Sequence, residues 1–432
     1  MDHSGDLLPR DLDPARLDAR IAYHAEGAFR LLERLVGAPS VVGAERGAQD
    51  VLADELPELG FELHRLPVPD DIADFPGAGI PLLPCAGRSN LVARRPGDPG
   101  RPSLLLNGHI DVVPAEAPEL WTSRPFQPAR HDGWLYGRGA GDMKGGFAMG
   151  TLAVRALLDV DSAAVPGPQS FIAAIEEECT GNGTLAAAHA GVLVDAVVLL
   201  EPTGLELLRG GVGVLWVEVI VAGRAAHAEE ASAAVNAIEA ALSLITALRE
   251  YERDLNAAES DDQIEAGRQF VLNVGRIEGG DWASSVPAQA RFEIRLGFPR
   301  WWTATEAEAR VRERIAAVAA RDPWLADHPP QVRASGFRAE GYDMPADAPL
   351  VRRLADAHRA AHGTPPRSTV RPTTTDARTY LNRFGIPAIC YGPRTRAIHG
   401  IDEVVELESI VAGARTLARF IAGWWERRAT AE

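Results

Sequence analysis

The order of apolar runs predicts an α/β protein: a mostly parallel sheet layered with helices, carrying a smaller α+β domain inserted into it. Three observations lead there. Short apolar strands alternate with helical periods from Phe61 to Leu200, the rhythm of an α/β layer. Between Gly210 and Phe337 the order becomes β-α-β-β-α-β, a ferredoxin-like pattern. After Arg338 the α/β rhythm resumes. The expected division is a catalytic domain built from 1–209 and 338–432, with 210–337 as a lid and dimerisation domain. A chain of 432 residues suits two domains at roughly 100–200 residues each.

Element by element, apolar residues recur at helical spacing from Leu17 to Val36, and a second helix covers Gln49 to Leu59. Candidate strands follow at Phe61–Leu66, Asn90–Ala93, Ser103–Asn107, Phe171–Ile175 and Ala196–Leu200, with helices at Gly145–Leu158 and Thr184–Ala190. In the inserted segment, "GVGVLWVEVIVAG" is a long alternating strand, followed by a helix over Ala233–Leu255 and strands at Phe270–Ile277 and Ala288–Gly297. A helix at Thr305–Ala319 and a strand at Gln331–Gly336 complete it. The last part holds helices at Leu350–His362, from about Thr374, and at Leu407–Trp425, with a strand at Ile386–Tyr391.

Composition narrows the function. With 44 basic against 60 acidic residues the net charge is −16, the wrong sign for nucleic acid or an anionic membrane surface. The N-terminus shows no basic-then-apolar signal pattern, and no apolar run reaches membrane-spanning length. Three scattered cysteines offer no disulfide framework. A cytoplasmic protein is expected.

The chemistry collects where strands end, the usual place for functional groups in parallel α/β sheets. "LLLNGHIDVVP" ends its apolar run in His109 and Asp111, and the long loop after it brings Asp142. "AAIEEECTGNG" supplies Glu176, Glu177 and Glu178; "VVLLEPTG" supplies Glu201; "AICYGP" leads on to His399. Each has an ordinary structural reading alone. A histidine at a strand end can be a satisfied core residue, Asp142 a helix N-cap, an acidic triplet a solvated turn. Together they do not stay ordinary. Carboxylates gathered at a partly buried rim repel and raise one another's pKa, and a pair of divalent cations removes that penalty. Two imidazoles with three carboxylates suit zinc, and also cobalt or manganese. Residues i and i+2 of a strand share a face, so Asp111 is expected to orient the imidazole of His109, the ligand.

"NGHIDVVP", "YGRGAGDMKGG", "EEECTGNGT", "EPT" and "AIHGIDE" stand in the order and approximate spacing of the M20 metallopeptidase family, which the chain resembles from about Arg30 onward. That family includes acetylornithine deacetylase, succinyl-diaminopimelate desuccinylase, aminoacylase and carboxypeptidase G. The resemblance implies a zinc-peptidase-like catalytic domain with two divalent ions. His109 and Glu201 would hold one, Glu178 and His399 the other, and Asp142 would bridge them. Glu177 would be the general base. "GRAAHAEE" resembles the segment whose histidine reaches a partner subunit's site, which makes His227 a candidate oxyanion stabiliser in a homodimer. Arg295 in "ARFEIRLG" matches an arginine that binds a substrate carboxylate. Ser284 in "WASSVP" stands where many members have Asn, and Thr180 where the family often has Gly; both changes bear on substrate. The expected activity is deacylation of an N-acyl amino acid or a similar small compound. The alternatives are a dipeptidase or carboxypeptidase, a formyl- or acylaminopyrimidine hydrolase and, more remotely, an inactive binding protein on this fold.

Overall fold

The structure, a computed structural model, describes residues 13–265 and 267–425. Helix α1 (Pro14–Gly37) starts with Asp13 accepting the Ala15 N–H and with a proline in its first turn. Its buried stripe, Leu17, Ile21, Ala28, Leu31 and Leu35, keeps helical spacing. Next come α2 (Arg46–Glu55) and strands β1 (Glu62–Pro67), β2 (Ser89–Arg95), β3 (Leu104–His109), β4 (Ala129–His131) and β5 (Trp134–Tyr136). Then follow α3 (Gly145–Val160), β6 (Gln169–Ala174), α4 (Asn182–His189), β7 (Ala196–Leu199) and β8 (Leu207–Gly211).

The second domain runs through β9 (Gly213–Ala222), α5 (Ala237–Ala258), β10 (Leu272–Gly279), β11 (Gln289–Phe298), α6 (Ala304–Ala319), α7 (Pro323–Asp327) and β12 (Gln331–Ala339). The chain then returns through β13 (Tyr342–Asp343), α8 (Pro349–His362), β14 (Ser368–Arg371), α9 (Ala377–Thr379), β15 (Ala388–Cys390), β16 (Thr395–Arg396), β17 (Val404–Glu406) and α10 (Leu407–Trp424).

The large sheet is ordered β1-β2-β6-β3-β7-β15-β8-β13, with β14 on β8. Its centre, β6-β3-β7-β15, is parallel, whereas the flanking strands β1, β2, β8 and β13 pair antiparallel. The sheet is therefore mixed, with a parallel centre that carries the site and a further parallel pair, β14 on β8, near one edge. Leu104 and Leu106 of β3 face a core shared with α1, α3, α8 and α10, and Leu105 faces the opposite core, shared with α4 and α9. Covered on both faces, β3 is buried at every position.

In the second domain four antiparallel strands are ordered β10-β11-β9-β12, and the chain order is the expected β-α-β-β-α-β. Val217, Val219 and Val221 of β9 pack with Phe292 and Ile294 against α5 and α6; Trp216, Glu218 and Ile220 are only partly buried on the other face. A third sheet, β16-β17-β5-β4, has no counterpart in the sequence reading. It ties the chain before Asp142 to the chain around His399. The helix expected from Thr374 is only the short α9, followed by a π-turn at Tyr380–Phe384. Among the described residues, no helix is long and apolar enough to cross a membrane.

Candidate metal centre

The parallel strands β3, β6, β7 and β15 end on the same rim of the sheet, and each hands its polar residues to one place. His109 is the last residue of β3 and is 1% exposed. Its Nδ1 donates to the backbone carbonyl of Asp111 at 2.9 Å, which turns Nε2 outward. Nε2 then lies 3.0 Å from Asp142 Oδ1 and 3.9 Å from carboxylate oxygens of both Glu177 and Glu201. On the other side, His399 Nε2 lies 3.0 Å from Glu178 Oε2 and 3.5 Å from Asp142 Oδ2. One oxygen of Asp142 thus faces each imidazole. Ligand atoms of His109, Asp142 and Glu178 all fall within 4.8 Å of one another.

Asp111 reaches this arrangement differently from the sequence expectation. β3 stops at His109, so the same-face rule no longer governs residue 111, and the Asp111 carboxylate stands 3.8 Å from the imidazole. It accepts instead the backbone N–H groups of Glu177 and Glu178, at 3.2 and 3.1 Å. The carbonyl of Asp111 orients the histidine, and its carboxylate fixes the acidic turn. Glu176 in that turn has φ +64°, a left-handed conformation that costs a non-glycine residue energy and marks a constrained site.

The charges do not balance within the protein. Burial first, then Asp142, Asp376 and Glu178, push Glu201 up to about 8, with His109 opposing. Burial likewise raises Glu177 well above the carboxylate range, and Asp111 to about 7. Burial works against charge on the histidines, yet the carboxylates outweigh it, lifting His109 well above the usual imidazole value and His399 to about 11. For Asp142 burial is also outweighed, by hydrogen bonds from His109 and His399 that hold it well below the carboxylate range. Glu178 Oε1 is buried with no hydrogen-bond partner among the described residues. A buried carboxylate oxygen left unpaired, beside imidazole nitrogens that face carboxylates, is a donor set that fits divalent cations.

The cluster opens into a cavity of about 620 Å³ whose walls include Asp142, Glu177, Glu178, Glu201, His399 and, from the second domain, Arg295. The Arg295 guanidinium donates to the Val271 carbonyl at 3.5 Å and forms no ion pair among the described residues; burial lowers its pKa. Asn273 on β10 and Trp216 on β9 flank it in register and also line the cavity.

Two sequence candidates lie elsewhere. His227 precedes a 3-10 turn, its Nδ1 accepting the Glu229 N–H at 3.2 Å. Ser284 is exposed, and its carbonyl accepts the Ala228 N–H at 3.0 Å. Neither lines the cavity of its own chain. The sequence reading passed over Asp376, which is 1% exposed with Arg378 Nη1 3.7 Å from its Oδ1, and Arg138 and Glu403, buried beside the Asp142 and His399 loops. Arg138 and Glu403 stood inside two of the quoted motifs. Asp376 follows a threonine run before α9, where an N-cap is the natural reading.

The model of peptidase family M20/M25/M40 matches residues 105–423. The chain is 34% identical to a succinyl-diaminopimelate desuccinylase of Methylobacterium radiotolerans, covering 90% of this chain and 96% of that one. It is 27% identical to an N-formyl-4-amino-5-aminomethyl-2-methylpyrimidine deformylase of Bacillus subtilis, covering 95% and 98%. In fold it is similar to the dipeptidase Dug1p of Saccharomyces cerevisiae, with a TM-score of 0.78 at 16% identity over 96% of this chain and 99% of that one. The motif order, the two-sided Asp142 and the matched span make the chain a member of peptidase family M20/M25/M40.

Proposed function

We propose that the protein is a di-metal hydrolase that removes the acyl group from an N-acyl amino acid or a related small N-acyl compound. The observation that carries this reading is Asp142, whose two oxygens each face an imidazole, at 3.0 and 3.5 Å. His109 and Glu201 would hold one ion and His399 and Glu178 the other, with Asp142 common to both. Zinc suits this N/O set best, with cobalt or manganese as substitutes. When bound, the ions polarise the scissile carbonyl and acidify the attacking water. Glu177, beside the cluster but not between the imidazoles, takes the proton from that water and delivers it to the leaving amine. Arg295, partly buried and without a carboxylate partner among the described residues, takes the free carboxylate of the substrate.

The lid, assigned here to 210–337, also supplies a dimer contact. Among the described residues the outer edge of β10 has no strand partner, and Ile277, Trp282 and Leu242 stand 48%, 72% and 50% exposed on the same domain. A second copy covering this edge satisfies its backbone. Three buried free cysteines suit a reducing cytoplasm.

The second reading is acylaminopyrimidine hydrolysis, favoured by the Bacillus subtilis deformylase whose length this chain spans almost completely. A panel of N-acetyl, N-formyl and N-succinyl amino acids, dipeptides and a formylaminopyrimidine, run on the zinc- and cobalt-loaded protein, separates the readings. N-acyl amino acids are expected to be the best substrates. Arg295→Met should raise their KM at least about tenfold, since a hydrogen bond to a charged group is worth about 1.5–3 kcal/mol. The corresponding amino-acid amides should be nearly unaffected. Preferred turnover of the pyrimidine, or an equal Arg295→Met effect on acids and amides, would overturn the proposal.

A further inference from the structure

Behind the metal ligands lies a buried ion pair with no part in the chemistry above. Arg138, 2% exposed, and Glu403, fully buried, meet with Arg138 Nη1 2.5 Å from Glu403 Oε2. The other oxygen, Glu403 Oε1, accepts the backbone N–H groups of Gly141 at 2.8 Å and Asp142 at 2.9 Å. The other arm of the guanidinium, Nη2, donates to the carbonyls of Gly400 at 3.2 Å, His399 at 3.4 Å and Pro114 at 3.5 Å. The Gly137 N–H returns to the Glu403 carbonyl at 3.0 Å. We propose that Arg138 and Glu403 are positioning residues that hold the Asp142 loop and the His399 loop in mutual register, and so set the spacing of the metal centre.

The physical case has three parts. Asp142 and His399 are 257 residues apart (399 − 142) and sit on irregular backbone, so neither is placed by a regular element. The His399 loop is also constrained, with left-handed φ at Ala397 (+54°), His399 (+61°) and Asp402 (+56°); such backbone persists only where surroundings over-determine it. Finally, a buried ion pair is a poor source of stability, because desolvation offsets its attraction, whereas a planar guanidinium fork fixes directions. One arm of this fork holds the carboxylate that grips Asp142, and the other holds the carbonyls around His399. The link is to backbone on both sides, so it sets loop position without touching substrate.

The inference rests on the two-ion reading and is tested on metal affinity rather than turnover. Arg138→Lys keeps a cation opposite Glu403 but loses the fork, so the His399 side should loosen while the Asp142 side stays gripped. Glu403→Gln removes the charge that anchors Arg138 and loosens the carboxylate both ions share. Stepwise zinc affinities come from chelator competition on the full chain, with thermal melts of the metal-free protein alongside. In Arg138→Lys one of the two affinities should fall about 10–100-fold, the scale for groups that orient ligands, with the other within about threefold of wild type and the metal-free melt little changed. In Glu403→Gln both should fall. Wild-type affinities in Arg138→Lys, equal weakening of both ions, or failure of Arg138→Lys to fold would each overturn the pair's role. Fewer than two ions on the wild type would overturn the two-ion reading and this role with it, whereas two ions on the wild type with an unmoved Arg138→Lys overturns the pair alone.

Discussion

Glu177→Gln should cut kcat at least about 10²-fold, the usual scale for a general base, while both ions stay bound. The two neighbouring glutamates share one backbone anchor, since the Asp111 carboxylate accepts both of their N–H groups. Their side chains then diverge. Glu177 Oε2 lies 3.9 Å from His109 Nε2, beside the cluster and on the cavity wall. Glu178 Oε2 lies 3.0 Å from His399 Nε2, and its other oxygen is buried without a partner among the described residues. An amide at 177 keeps the shape and loses the ability to take a proton. An amide at 178 loses a ligand charge, so Glu178→Gln should weaken metal retention before it affects anything else. Metal analysis beside steady-state kinetics checks both. Metal loss in Glu177→Gln with retention in Glu178→Gln would mean the two roles are reversed.

The second large effect is expected from mixing two inactive chains. His227 and Ser284 stand together on the lid, outside the cavity of their own chain. The exposed apolar residues and the β10 edge of that domain are the surface on which the proposed two-fold contact would form. In the proposed dimer each His227 would enter the other chain's cleft and donate to the oxyanion that forms at the carbonyl. Removing such a donor costs about 2.7–4 kcal/mol, so His227→Ala should be nearly as impaired as Glu177→Gln. Co-expressed heterodimers of the two variants hold one site with both groups intact. They should recover up to about half of wild-type activity. Heterodimers verified by mass spectrometry that stay inactive would place His227 within its own chain's chemistry or outside the chemistry altogether.

Which parts of this centre could be read from the sequence follows from how each residue is placed. His109 closes a buried apolar strand, and Glu177, Glu178 and Glu201 follow within a few residues of others, so these apolar runs mark the rim of the sheet. Asp142 could have been a helix cap. In the fold α3 begins at Gly145 with no side-chain cap, and Asp142 faces the two histidines. The role of the Asp111 carboxylate was not readable from strand alternation, because alternation ends with the strand at His109. Arg138 and Glu403 are 265 residues apart, and no local pattern pairs them. Strands β8 and β14 escaped because "LLRGG" and "STVR" are too short and mixed to show a period. The antiparallel flanks of the sheet were hidden for another reason: apolar runs give strand positions but not directions.

The proposed chemistry requires two ions that share the Asp142 carboxylate. The most direct measurement is elemental analysis of the purified, zinc-loaded protein after exhaustive dialysis, with Asp142→Asn alongside. About two ions per chain are expected in the wild type, with hydrolysis of N-acyl amino acids lost on chelation and restored by zinc. Asp142→Asn should lose both ions, because both draw on that residue. Trace metal in a wild-type protein that still hydrolyses amides, or two ions retained by Asp142→Asn, would contradict it.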